Sequence, residues 1–235
     1  MPDSLPSFDP VWEEIYHQGR QVNRYPFDPI VAFIHRNQPK DQPRGETCVL
    51  EVGCGAGNNL WFAAREGFQV AGMDGSESAI AYARKRFEAD SLKADLRVGD
   101  FVHLPWPDEA FDFVLDRAAL TNCGQSDGRR AVAEVRRVLR KGGKFFFNPY
   151  AQSHSSYASG HLGPEGMTLD IATGGLQGMG PICFYSRRDL DLLFQDGWRV
   201  QAIALVERTD MLTPGYNVMA DWQVVAEKIV STAGG

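Results

Sequence analysis

Short apolar runs alternate with amphipathic stretches between residues 47 and 150. Five strands are predicted from the runs "TCVLEV", "FQVAGMD", "ADLRVGD", "FDFVLDRAAL" and "KFFFNPY". Three helices are predicted between them from "NNLWFAAREG", "SESAIAYARKRFEAD" and "RRAVAEVRRVLRKGG". Gly67 ends the first helix, Ser76 or Ser78 caps the second, and a glycine pair ends the third. This alternation predicts a parallel sheet with right-handed crossovers.

Different patterns precede and follow this alternating region. Two helices are predicted near the amino terminus from "VWEEIYHQG" and "DPIVAFIHRN", with the connection "RQVNRYPF" between them. Later in the chain come a helix, "SRRDLDLLFQDG", and two strands, "WRVQAIALVE" and "DWQVVAEKIV", joined by the loop "RTDMLTPGYNVMA". Two strands joined without a helix are antiparallel neighbours. We therefore predict an α/β three-layer sandwich with a seven-stranded sheet, six strands parallel and the last antiparallel.

One long segment, residues 151–185, interrupts the alternation of strands and helices. It is rich in Gly, Ser and His and directly follows the fifth predicted strand. Long segments of this kind inside compact domains act as lids or binding loops. Ligands of open α/β sheets bind outside the carboxyl ends of the strands. The apolar residues Ile171, Leu176, Ile182 and Phe184 favour a packed substrate lid over a disordered surface loop.

Composition and charge restrict the class of protein. The 235 residues are 43% hydrophobic and 23% charged, which is typical of a soluble globular protein. The net charge of −6 argues against nucleic acid as a partner. Four cysteines without CxxC spacing and scattered histidines indicate reduced cysteines and no metal site. Without a signal peptide or a membrane-spanning run, we expect a cytoplasmic protein with no membrane partner.

A glycine loop follows the first predicted strand, in "VLEVGCGAGNN" at residues 49–59. A triphosphate-binding loop needs a lysine after its last glycine, and this loop has none. A dinucleotide-binding loop has the spacing G-x-G-x-x-G, but the third glycine position counted from Gly53 is occupied by Asn58. The glycines instead alternate at Gly53, Gly55 and Gly57, after the acid Glu51.

This D/E-x-G-x-G-x-G arrangement resembles the first motif of class I S-adenosylmethionine-dependent methyltransferases, and the motif resemblance covers residues 47–144. Asp74 ends the second strand, where the family holds the ribose hydroxyls, although nicotinamide sites also use an acid there. Asp100 ends the third strand, where the family binds the adenine amino group, and Phe101 flanks the ring. Asp116 lies where the family's fourth motif contributes. Alone, Asp74 or Asp100 is also consistent with capping the segment that follows.

The resemblance implies S-adenosyl-L-methionine as the cofactor and S-adenosyl-L-homocysteine as its product. The stretches "WEEIYHQGRQVNRYPFD" and "FFFNPYAQSHSSYASG" also resemble stand-alone bacterial methyltransferases found with surface-saccharide or small-molecule pathways. We expect the following residues to bind the cofactor: Glu51, Gly53, Cys54, Gly55, Asn58, Asn59, Asp74, Gly75, Ser76, Gly99, Asp100, Phe101, Asp116, Arg24 and Tyr25.

Candidates for catalysis come from segments that follow the strand ends. His154 is the candidate general base, because its ordinary pKa suits proton removal near neutrality, although an exposed loop histidine fits equally well. Tyr150 either shapes the pocket and binds the acceptor or only packs in the interior. Arg117 either holds an anionic group of the acceptor or pairs with Asp116. Candidate substrate-binding residues are Asn148, Tyr157, His161 and Tyr185.

We expect an S-adenosylmethionine-dependent methyltransferase that transfers a methyl group to an O or N atom of a small molecule by in-line displacement. The alternatives are a non-catalytic regulator that binds the same nucleoside and a nicotinamide-dependent oxidoreductase. We expect one domain over residues 1–235, as a monomer or homodimer. Its expected parts are a helical cap at 1–44, a cofactor-binding core at 45–150, a substrate lid at 151–185, and a helix and strand pair at 186–235.

Overall fold

The centre of the molecule is a seven-stranded sheet, seen in a computed structural model that describes residues 7–212 and 217–229. The strands lie in the order β3-β2-β1-β4-β5-β10-β9, and β10 is antiparallel to both of its neighbours. The prediction of six parallel strands and a reversed last strand is confirmed. The bounds are β1 Cys48–Val52, β2 Gln69–Asp74, β3 Asp95–Val98, β4 Phe111–Arg117, β5 Leu139–Asn148, β9 Trp198–Asp210 and β10 Asn217–Lys228.

Helices cover both faces of this sheet. One face packs on α2, α3 and α4, and the other packs on α5 and α7, because successive strand residues such as Phe145 and Phe146 point to opposite sides. In the described part of the chain, no helix is both long and apolar enough to cross a bilayer. The bounds are α1 Val11–His17, α2 Asp28–Asn37, α3 Asn58–Arg65, α4 Glu77–Ala89, α5 Gln125–Val138, α6 Ser155–Ala158 and α7 Arg187–Leu193.

The segment after β5 is more ordered than a long loop. It contains α6 and a small antiparallel sheet of β6 His161–Leu162, β7 Met167–Leu169 and β8 Ile182–Cys183. The predicted anchors Ile171, Leu176, Ile182 and Phe184 form one buried apolar cluster. The sequence did not reveal these strands because each has only two or three residues, too few for a periodic pattern.

Two predicted boundaries are wrong. Helix α5 ends at Val138 instead of at the glycine pair, because Leu139 already pairs with Phe111 on β4 and Gly142 lies within β5. The predicted loop between the last two strands belongs largely to the strands, since β9 continues to Asp210 and β10 begins at Asn217. Residues 213–216 of that loop lie outside the described residues.

A pair of leucines tests the assignment of the core. Leu139 is fully buried at the start of β5, whereas Leu162 in β6 is 70% exposed. We expect Leu139→Ala to lower the free energy of unfolding by about 2–5 kcal/mol, because it leaves a cavity in packed surroundings. The control Leu162→Ala should change it by less than about 0.5 kcal/mol. Urea denaturation measures both, and equal losses would contradict the assignment.

Candidate active site

One cavity of about 310 Å³ opens at the carboxyl ends of β1, β2 and β4. Its volume lies within the range of about 300–1,000 Å³ that is common for small-molecule sites. Of the predicted site residues, the cavity brings together Glu51, Gly53, Cys54, Gly55, Asn58, Asn59, Asp74, Gly75, Phe101, Arg117 and Tyr150.

The glycine loop forms the floor of the cavity between β1 and α3. Gly53, Gly55 and Gly57 all have positive φ angles, of 63°, 53° and 72°, which side-chain-bearing residues adopt at a cost. A Cβ atom on Gly53 would collide with the side chain of Ala119, and one on Gly55 would collide with the hydroxyl of Tyr16. The glycines therefore let Ala119 and Tyr16 approach the loop backbone more closely than a side chain would permit.

Asp74, at the end of β2, holds this loop in place. One carboxylate oxygen accepts the backbone N–H of Gly55 at 2.8 Å, and the other accepts that of Ser76 at 2.9 Å. Ser76 in turn caps α4, as predicted, with its hydroxyl accepting the N–H of Ala79. The side chain of Asp74 is thus tied both to the loop and to the start of a helix while it borders the cavity.

Glu51 has a buried oxygen that no described residue satisfies. Its Oε1 accepts a hydrogen bond from the amide of Asn59 at 2.6 Å, whereas Oε2 has no partner. Asn59 is fixed in turn because its own oxygen accepts the backbone N–H of Phe27 at 3.0 Å. An unsatisfied buried acceptor that borders a cavity is a ready partner for a donor on a ligand.

Burial controls the protonation of the carboxyl groups. It raises the pKa of Glu51 to about 8, against the opposing hydrogen bond from Asn59. Burial also raises the pKa of Asp74 to about 6, although backbone N–H groups of Ser76 and Gly55 favour its charged form. The pKa of Asp116 is likewise about 6 for the same main reason. Near neutral pH, Glu51 is therefore largely protonated when the cavity holds no cation.

Asp116 does not line the cavity, but it holds the backbone that follows β4 in place. It is fully buried, and its Oδ1 accepts the backbone N–H groups of Ala119 and Leu120, both at 3.0 Å. Arg117, the next residue, has its guanidinium 4.6 Å from the ring centroid of Phe27 and 6.0 Å from that of Tyr150. The guanidinium of Arg117 makes no hydrogen bond or ion pair with any described residue, although its charge favours the ionised forms of Asp116 and Glu51.

His154 lies outside the set of residues that line the cavity. Its Nδ1 accepts the backbone N–H of Ser156 at 3.1 Å and so caps α6, and burial lowers its pKa to about 4. Because Nδ1 is an acceptor, the proton of the neutral ring resides on Nε2, which is buried without a partner. In this arrangement neither ring nitrogen is free to take a proton from an acceptor.

The remaining predicted residues surround the cavity without lining it. Asp100 accepts a hydrogen bond from the hydroxyl of Ser7, next to the lining residue Phe101, and Tyr25 is 68% exposed. The amide of Asn148 joins β5 to β10 through the carboxylate of Asp221. The others that do not line the cavity are Arg24, Ser76, Gly99, Tyr157, His161 and Tyr185.

Several residues that line the cavity were not predicted from the sequence. Ser7, Phe8 and Asp9 reach the cavity from the amino-terminal segment, and Phe27 precedes α2. Met219 arrives from the strand pair. None of these has a neighbouring motif, so only long-range folding brings them to the site. The lid contributes Gly175, Leu176, Met179 and Ile182.

The pH dependence of stability tests the burial of Glu51. Between pH 6 and 7 the folded state keeps a proton on Glu51 that the unfolded state, with a pKa near 4.5, has lost. We therefore expect this residue to lower the free energy of unfolding by about 1.4 kcal/mol per pH unit in that interval. Glu51→Gln should remove this loss, and urea denaturation at several pH values measures it.

The control for this measurement is Glu88→Gln, which changes an exposed residue of α4. Its free energy of unfolding should depend on pH as that of the wild type does. If Glu51→Gln also kept this pH dependence, Glu51 would not be a buried, protonated carboxyl group.

Comparison with known proteins gives a family match over the glycine loop and the five strands β1 to β5. Residues 50–147 match the family model described as a methyltransferase domain. The chain is 40% identical over 123 residues to the phthiotriol/phenolphthiotriol dimycocerosates methyltransferase of Mycobacterium tuberculosis, a match that covers 52% of this chain and 43% of that protein. It is 32% identical over 99 residues to a methyltransferase of Streptomyces halstedii, covering 41% of this chain and 35% of that protein.

The chain thus spans less than half the length of either relative. The solved structure of an S-adenosylmethionine-dependent methyltransferase from Methanosarcina mazei is similar, with a TM-score of 0.69 and 24% identity over 85% of this chain and 98% of that one. Residues 50–147 therefore match a methyltransferase domain, and the seven-stranded sheet has the class I methyltransferase fold.

Proposed function

We propose that the protein transfers a methyl group from S-adenosyl-L-methionine to an O or N atom of a small molecule. The observation that carries this proposal is the free, buried oxygen of Glu51 beside a left-handed glycine loop. Such a loop brings backbone close to a ligand without a lysine for phosphates. The methyltransferase domain match covers the same loop and the three acids Glu51, Asp74 and Asp116.

The donor groups that border the cavity fit this cofactor. The unpartnered Oε2 of Glu51 suits the ammonium of the methionine portion, because a cation favours the charged form of a buried carboxyl group. Asp74 suits the ribose hydroxyls, since each carboxylate oxygen retains acceptor capacity beyond its one backbone bond. Phe101 offers a ring for the adenine.

The cofactor supplies a methyl carbon that the positive sulfur has already activated. The chain's own task is then to align the acceptor and to exclude water. Tyr16, with a hydroxyl against Gly55, and Phe8, with a ring against Gly75, enclose the cavity from the amino-terminal segment. The lid residues Leu176 and Ile182, in the segment after β5, are buried and line the same cavity.

The acceptor is proposed to be a small molecule because one cavity of about 310 Å³ must receive it beside the cofactor. The direct test incubates the protein with labelled S-adenosyl-L-methionine and a panel of small acceptors and identifies the product by mass. Parallel calorimetric titrations with S-adenosyl-L-methionine and with NAD separate a methyltransferase from an oxidoreductase. Binding of the former without turnover on any acceptor would favour a non-catalytic regulator.

Asp74→Asn tests the proposed ribose site. We expect it to weaken the binding of S-adenosyl-L-methionine by about 1–3 kcal/mol, because an amide cannot accept hydrogen bonds on both of its heteroatoms. The control Asp95→Asn changes an acid on β3 that pairs with Arg97 away from the cavity, and it should leave the affinity unchanged. Isothermal titration calorimetry measures both, and equal affinities would remove Asp74 from the site.

Gly55→Ala tests whether the loop backbone makes room for the cofactor. Its Cβ would collide with the hydroxyl of the lining residue Tyr16 and displace it, so we expect at least about tenfold weaker binding, with the left-handed backbone adding about 1–2 kcal/mol of strain. Gly142→Ala is a matched control, because Gly142 has a φ of 75° and no neighbour within 4 Å of such a Cβ. Both variants should lose stability, whereas only Gly55→Ala should lose affinity. Equal affinity for the two would disprove the close approach.

A further inference from the structure

The cavity contains a cation that makes no direct hydrogen bond or ion pair with the described residues, although the buried carboxyl groups of Asp116 and Glu51 lie close enough to interact with its charge. Of the described residues that line it, Arg117 alone carries a permanent positive charge. Its guanidinium is partly buried and forms no hydrogen bond or ion pair with the described residues. A guanidinium removed from water gains much when an anion binds to it, since its fixed fork matches two carboxylate oxygens.

Two rings hold the guanidinium in position. Phe27 and Tyr150 both lie within 6.0 Å of it, and this contact restricts the flexible side chain of Arg117. Tyr150 belongs to the lid side, because it packs on the apolar cluster that contains Phe184 and Leu176. Arg117 therefore lies between the end of β4 and the lid. This is the side of the cavity that the acceptor would occupy.

Most of the lid side of the cavity is apolar, and the carboxylate of Asp9 beside Gly180 is the exception. Leu176 and Ile182 are buried, and Met179 and Met219 complete the wall. Methionine side chains adapt to ligands of different shape. A cation placed beside such a wall favours a molecule that has one anionic group and an apolar body.

We propose that the methyl acceptor is a carboxylic acid with an apolar body and that Arg117 binds its carboxylate. This assignment rests on the proposed methyl transfer, and it adds the chemical class of the acceptor. Arg117 acts as a specificity-determining residue, because the neutral amide of the same acid offers no charge to the guanidinium. The carboxylate of S-adenosyl-L-methionine itself is the competing ligand for Arg117. The experiment below distinguishes it from the carboxylate of the acceptor.

The probes are hydrocinnamate and its primary amide, which share an apolar body and differ in charge. Ligand-observed NMR measures their affinities for the protein saturated with S-adenosyl-L-homocysteine. We expect the wild type to bind the acid at least about tenfold more tightly than the amide. Arg117→Gln should abolish this preference, and Arg117→Lys should retain part of it because it keeps the charge but loses the fork. Arg130→Gln, which removes a surface cation paired with Asp127, is the control and should keep the full preference.

Calorimetric titration with S-adenosyl-L-homocysteine accompanies each variant. An unchanged affinity in Arg117→Gln shows a folded cofactor site and supports the proposal. A large loss of that affinity would assign Arg117 to the cofactor's carboxylate and overturn the proposal. Equal binding of acid and amide by the wild type, or a preference that survives in Arg117→Gln, would also overturn it. Failure of the wild type to bind the homocysteine nucleoside would instead refute the proposed function.

Discussion

The site depends on the burial of three carboxyl groups at the ends of adjacent parallel strands. Glu51, Asp74 and Asp116 lie in the last two residues of β1, β2 and β4, and each is at least nine-tenths buried. Their charged forms are costly in this environment, and nearby N–H donors offset part of that cost, as does the charge of Arg117 for Glu51 and Asp116. Gly55 can direct its N–H at Asp74 because the loop is left-handed there. The conformation of the glycine loop and the protonation of the acids therefore depend on each other.

A second constraint is the attachment of the lid to β10. The indole N–H of Trp222 donates to the carbonyl of Tyr185 at 2.8 Å, and the N–H of Val218 donates to the hydroxyl of Ser155 at 2.7 Å. The lid thus packs against a strand pair that continues past the end of β5. Met219 lies on this extension, and for that reason a residue so late in the sequence lines the cavity.

The sequence alone predicted the sheet and most of the residues that line the cavity on the side of the glycine loop. Apolar periodicity identified the strands, and the spacing of Gly53, Gly55 and Gly57 located the loop because local geometry limits which residues fit there. The same reasoning failed for His154, since spacing does not reveal that its ring caps a short helix. It also could not find Phe27, whose place is set by contacts across 32 residues with Asn59. Long-range packing carries no local signature.

Two regions that draw on different apolar clusters surround the cavity. The glycine loop and its acids are part of the hydrogen-bonded centre of the sheet, whereas Leu176 and Met179 stand on a segment with its own small apolar cluster. Substitutions that reshape that segment need not disturb the packing between the strands and α3. During divergence, the residues of that segment can change in steps while the glycine loop and its acids are kept. Relatives of this chain can thus share one half of the cavity and differ freely in the other.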